Sequence, residues 1–150
     1  MSHAAASPPS MSDDFALPAR IDCLTDLCAF VRRGAAVARL APAEMQKLDL
    51  VLEEIFVNIA RYAYAPNHGD VEVGYVVHAP GRIHIRISDS GREFNPLASD
   101  PPDFSRGLAD RPCGGMGIFL VKTIAESIQY QYAGGRNTLL FTFAGETGLV

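Results

Sequence analysis

Residues 70–89 read DVEVGYVVHAPGRIHIRISD, and their pattern decides the fold. Val71, Val73, Tyr75 and Val77 alternate with other residues in the first half, and Ile83, Ile85 and Ile87 do so in the second. A period of two puts each set on one face of a strand. Pro80-Gly81 between them is a turn signal, so the two strands form an antiparallel hairpin. Asp89 keeps the parity of the three isoleucines, which points its carboxylate toward the apolar layer. A carboxylate removed from water needs donors. Two readings stay open for it. It caps the backbone amides of the Ser90-Gly91 turn, or it is a buried acceptor for a ligand donor such as the exocyclic amine of adenine.

Upstream, Leu48, Val51, Leu52, Ile55, Phe56, Ile59 and Ala63 recur at helical spacing. Pro42 suits the first turn of that helix, and Pro66 with the Asn67-His68-Gly69 turn stops it near Tyr64. Before it, Leu24, Leu27, Cys28, Val31, Ala35 and Ala38 mark another helix with Asp22 as its N-cap. Phe15 and Leu17 suggest a short strand. Residues 1–12, MSHAAASPPSMS, have nothing to bury and read as a disordered leader, leaving 13–150 as one domain.

Downstream, residues 92–113, REFNPLASDPPDFSRGLADRPC, hold four prolines and no periodicity. A loop this long in a compact domain is usually functional or disordered. Gly114-Gly115-Met116-Gly117 then opens a helix carrying Ile118, Val121, Ile124 and Ala125. Two last strands, around 128–132 and 137–143, flank Gly134-Gly135. The order β-α-α-β-β-loop-α-β-β reads as an α+β two-layer sandwich. Its sheet is mostly antiparallel and covered on one face by helices.

Composition narrows the function classes. The 150 residues are 48% hydrophobic and 20% charged, enough for one core. Thirteen Lys+Arg against seventeen Asp+Glu give a net charge of -4, which argues against direct nucleic-acid binding or attraction to anionic lipid. Cys23, Cys28 and Cys113 form no CxxC, and the four histidines show no metal-ligand spacing. Cys23 and Cys28 read as small core residues. No apolar run approaches the ~20 residues of a membrane span, and no signal peptide is visible, so the expected location is the cytoplasm.

Two places carry candidate chemistry besides Asp89. Glu54 and Asn58 stand four apart on one helix face, with Arg61 extending the row. Glu54 alone fits a solvated face. Asn58 is harder to dismiss, because asparagine in mid-helix competes for backbone hydrogen bonds. A carbonyl oxygen beside a carboxylate suits Mg²⁺, which keeps most of its waters. The glycines of Gly114-Gly115-Met116-Gly117 let backbone approach closely at a helix N-terminus, where unpaired N–H groups favour phosphate. No Rossmann or Walker pattern is present.

Together these segments resemble the GHKL-type (Bergerat) ATP-binding domain shared by DNA gyrase, heat-shock chaperones, histidine kinases and mismatch-repair ATPases. Within it they are most similar to the stand-alone anti-sigma-factor serine/threonine-protein kinases. The resemblance covers about residues 14–144. Glu54 to Asn58 matches the N box, ExxxN. Asp89-Ser90-Gly91-Arg92-Glu93-Phe94-Asn95-Pro96 matches the first glycine box in its DxGxxF-x-P form. Gly114-Gly115-Met116-Gly117-Ile118-Phe119-Leu120-Val121 matches the second, and Asn137-Thr138 matches the closing threonine.

The resemblance implies a Mg²⁺-ATP site. In it Asn58 would hold Mg²⁺ and Glu54 would be the general base. Asp89 would accept from the adenine amine, with Thr138 supporting it through water. Gly91 and Phe94 would flank the base, and Gly114, Gly115, Met116, Gly117 and Ile118 would form the lid hinge and phosphate-binding turn. Arg106 and Arg111 are candidates for reaching the γ-phosphate. Two residues depart from the pattern: Tyr62 where the small kinases often have histidine, and Glu93 where many relatives have a second glycine. The implied activity is phosphorylation of a serine on a small anti-anti-sigma (STAS-domain) partner. A sigma factor would be a further partner, the chain would form a homodimer, and partner switching would regulate transcription. Two alternatives remain: a nucleotide-dependent protein-binding switch without phosphotransfer, and a detached histidine-kinase catalytic domain.

Overall fold

A computed structural model describes residues 10–11, 14–98 and 115–148. Six strands form one antiparallel sheet: β1 (Ser10–Met11), β2 (Phe15–Pro18), β3 (Asp70–Ala79), β4 (Arg82–Asp89), β5 (Ser127–Ala133) and β6 (Arg136–Ala144). β1 and β2 both pair with β3, and the order continues β3-β4-β6-β5. The helices are α1 (Leu24–Val37), α2 (Pro42–Asn58) and α3 (Gly115–Ile124). The α+β sandwich is therefore the observed architecture.

The register explains which side chains face the helices. Val71 pairs with Asp89, Val73 with Ile87, Tyr75 with Ile85 and Val77 with Ile83. Across β4 and β6, Ile83 meets Phe143, Ile85 meets Phe141, Ile87 meets Leu139 and Asp89 meets Asn137. These apolar side chains join Leu27, Val31, Leu48, Val51, Leu52, Ile55 and Phe56 of the helices in one buried core. Side chains excluded from water at helical and strand periods together hold the layers in contact.

Two expectations are corrected. Asp22 is not an N-cap. A short 3-10 turn, Ile21–Cys23, precedes α1, whose N-cap is Cys23 with no side-chain hydrogen bond. Asp22 instead pairs with Arg20 at 2.7 Å. Of the segment read as a leader, Ser10–Met11 pairs with Val76–Val77 on the edge of β3. Backbone pairing to a free strand edge needs no particular side chain, so composition did not signal it. Residues 1–9 and 12 lie outside the described residues.

Cys23 and Cys28 are both half-buried against the core. Burial, reinforced by Asp49 and Glu53, pushes the Cys28 thiol up to about 11. It therefore stays protonated at neutral pH, in keeping with a packing role. No helix among the described residues is long and apolar enough to cross a membrane.

Candidate functional site

A pocket opens between the sheet and the helices at the end of β4. Its walls are Ile55, Asn58, Ile59, Tyr62 and Ala63 from the α2 side and Ile118 from α3. Asp89, Arg92, Phe94 and Pro96 follow from the strand end and its loop, with Tyr130, Asn137 and Leu139 from β5 and β6. Continuing Asn58, α2 passes into a π-helical turn, Ile59–Ala63. Such turns widen a helix locally and are frequent at functional sites. Here it brings both Asn58 and Tyr62 to the pocket, whereas Arg61, expected in the same row, is exposed and lies outside it.

The π turn and the chain after β4 are tied together. Gly91 lies so close to the turn that a Cβ there would sit 2.3 Å from the Ala63 carbonyl oxygen. The Arg92 N–H donates to that oxygen at 3.0 Å, and an Arg92 guanidinium nitrogen donates to Ala65 O at 2.5 Å. Ser90 N–H donates to the Tyr64 hydroxyl at 2.7 Å, which in turn donates to Asp70 O at 2.6 Å. Glycine at 91 is thus required by backbone contact.

Asp89 is 5% exposed and Asn137, directly across from it, is 7% exposed. Asp89 Oδ1 accepts from Gly91 N–H at 2.9 Å and from Asn137 Nδ2 at 3.0 Å. Both readings of Asp89 are compatible with this geometry: one oxygen caps the turn, while the carboxylate also lines the pocket. Asn137 Oδ1 accepts from Phe94 N–H at 3.1 Å and from the Tyr130 hydroxyl at 2.5 Å. Burial raises the Tyr64 and Tyr130 phenols above their ordinary value, which keeps both protonated and able to donate.

Thr138 is not at this site. It pairs with Ser88 on the opposite face of the sheet, its hydroxyl 3.4 Å from Ser88 Oγ. The residue whose side chain stands beside Asp89 is Asn137, one position earlier. Asn137, Tyr130 and Arg92 also line the pocket, although no functional role for them was predicted from the sequence. Asn137 did carry a signal, since asparagine is disfavoured in strands and here sits inside an apolar alternation.

Glu54 is half-buried beside the first turn of α3. A Cβ on Gly117 would lie 1.9 Å from Glu54 Oε2, so the carboxylate occupies space that only glycine leaves open. Ile118 is buried and lines the pocket. Phe94, 54% exposed, forms its outer rim. Gly115 and Met116 begin α3. Gly114, Arg106 and Arg111 lie outside the described residues.

The donor set suits Mg²⁺-ATP. Both described donors to Asp89 go to Oδ1, leaving Oδ2 for a ligand donor in a pocket whose apolar walls include Ile55, Ile118 and Leu139. Asn58 offers a hard oxygen at the same pocket, and Ile118 of α3 closes one side. Among the described residues no group of three or more His, Cys, Asp or Glu could hold a metal alone.

The family model described as the histidine kinase-like ATPase domain matches residues 17–143, and the chain belongs to that family. It is 26% identical over 101 residues to the serine-protein kinase RsbW of Bacillus cereus, covering 65% of this chain. It is 25% identical over 101 residues to that of Bacillus thuringiensis. The chain spans 62% of the length of these curated relatives. Among solved structures, the RsbU and RsbW domains of a Mycobacterium tuberculosis protein share the fold. The TM-score is 0.57 at 15% identity, covering 96% of this chain and 35% of that one.

Proposed function

We propose that this chain is an anti-sigma-factor-like serine kinase that uses Mg²⁺-ATP to phosphorylate a small STAS-domain partner. The observation that carries the reading is the buried Asp89 carboxylate at the floor of an apolar pocket that Asn58 also lines. Asp89 Oδ2 accepts the adenine amine, and the Ile55, Ile118 and Leu139 walls take the flat ring. Asn58 holds Mg²⁺ through its side-chain oxygen. The bound nucleotide and ion supply the transferable γ-phosphoryl group and neutralise its charge. Glu54, held against Gly117, takes the proton of the attacking serine hydroxyl; the products are phosphoserine and ADP.

The RsbW resemblance supports a partner switch in the cytoplasm. In it the chain, as a homodimer, exchanges a sigma factor for the unphosphorylated STAS protein. One observation favours a second reading, a nucleotide-dependent binding switch without transfer. Tyr62, 51% exposed, lines the pocket one turn beyond Asn58 and brings no positive charge to the phosphates.

Thermal melting with and without Mg²⁺-ATP and Mg²⁺-ADP tests the nucleotide site. Ligand at about a hundredfold above Kd adds ~2.7 kcal/mol, roughly 5–10 °C for a chain of this size. That shift is expected in the wild type and lost in Asp89→Asn. No shift in the wild type refutes nucleotide use. Glu54→Ala is expected to abolish transfer to a STAS partner while ADP still binds. Transfer absent from the wild type too, with ADP bound normally, favours the switch.

A further inference from the structure

We propose that Asn137 is the positioning residue of the nucleobase subsite, setting its selectivity for a 6-amino purine through Asp89 and Phe94. The inference rests on the adenine-nucleotide reading above and deepens it.

Every hydrogen-bonding capacity of the Asn137 amide is used inside the protein. Nδ2 donates to Asp89 Oδ1 at 3.0 Å and to Arg92 O at 2.8 Å, with Gly91 O at 3.5 Å. Oδ1 accepts from Phe94 N–H at 3.1 Å and from the Tyr130 hydroxyl at 2.5 Å. The orientation follows from these partners. Rotating the amide by half a turn would set Oδ1 against a carboxylate and a carbonyl, and Nδ2 against the Phe94 N–H.

A saturated, buried amide has nothing left with which to read a ligand. Its effect passes through what it holds. It directs one carboxylate oxygen of Asp89 inward to the loop, so that Oδ2 is left for the base. It also fixes the backbone on both sides of Glu93, which places the Phe94 ring at the pocket rim. Serine or threonine at 137 has one hydroxyl proton and could not donate to Asp89 and Arg92 O at once. An acceptor held this firmly favours a base carrying an amine and repels one carrying a carbonyl at the same position.

The test is titration calorimetry of the full chain with Mg²⁺-ADP and with Mg²⁺-IDP, whose base has a 6-oxo group. Wild type, Asn137→Leu and Tyr130→Phe are compared, with far-UV circular dichroism reporting folding. Wild type is expected to prefer ADP by about a hundredfold or more. Asn137→Leu should weaken ADP by at least about tenfold and leave IDP within about threefold, cutting the preference several-fold. Tyr130→Phe, which removes only the hydroxyl steadying Oδ1, should lower the preference partway and decides the matter if Asn137→Leu does not fold. Equal loss of both nucleotides, or an unchanged preference in folded variants, overturns the proposal while the adenine-nucleotide reading stands. Wild type binding neither nucleotide overturns both.

Discussion

The two faces of β4 and β6 are built from alternate residues of the same two strands, yet they have different fates. One face carries Ile83, Ile85, Ile87 and Asp89 opposite Phe143, Phe141, Leu139 and Asn137, and it meets the helices and the pocket. The other carries His84, Arg86 and Ser88 opposite Thr142, Leu140 and Thr138. Its polar groups pair along the sheet: His84 Nδ1 lies 2.8 Å from Thr142 Oγ1, and Arg136 bridges Ser90 Oγ at 2.9 Å and Glu72 at 3.1 Å. Asn137 and Thr138 are neighbours in sequence but 180° apart in direction. Chemistry at the strand end is assigned by parity, and a one-residue shift in alignment moves a candidate from the site to the far face.

The largest effect expected on this comparison comes from the pocket face. Gly91→Ala puts a methyl group into the Ala63 backbone, which cannot yield as a side chain can, and should cost about 3 kcal/mol of stability by urea denaturation. Unchanged stability would mean the π turn is free to move away from the strand end. Next, Gly117→Ala should displace the Glu54 carboxylate, a flexible neighbour, and lower kcat for phosphotransfer by at least about tenfold while ADP affinity holds. Parallel losses in both would place Gly117 in nucleotide binding.

The far face should respond to pH instead of nucleotide. Burial, with the positive charge of Arg82 and His78 nearby, lowers His84 below its ordinary value of 6.5. The unfolded chain then binds the proton more readily. Stability contributed by neutral His84 is present above pH 6.5 and is lost as pH falls through that value toward the lower folded one. His84→Gln should flatten that part of a melting-temperature profile; an unaltered slope would assign it elsewhere. The smallest effect is predicted for Thr138→Val. It removes only the long contact to Ser88 and should leave ADP affinity within about twofold and stability within about 0.5 kcal/mol. A tenfold loss of ADP binding would break the division between the faces.

Much of this was legible in the chain. The hairpin, both long helical stripes, Pro42 as a helix start and the inward carboxylate of Asp89 follow from spacing and residue type, and the structure has each of them. Periodicity is a local property, so each element could be read without its neighbours. What was not legible depends on two segments meeting. The π turn at Ile59–Ala63 has no pattern of its own and is held by Gly91 and Arg92 from a different part of the chain. Gly117 reads as a hinge or phosphate glycine until Glu54 is found beside it.

The amino-acid order thus settled the longer strands, the helical faces and which carboxylate is buried, because burial of apolar side chains at a fixed period is decided residue by residue. The pairing register across β4 and β6 decided that Asn137 stands beside Asp89 and Thr138 does not. Register is a relation between strands about fifty residues apart, set by how the whole apolar face packs, and no local stretch contains it.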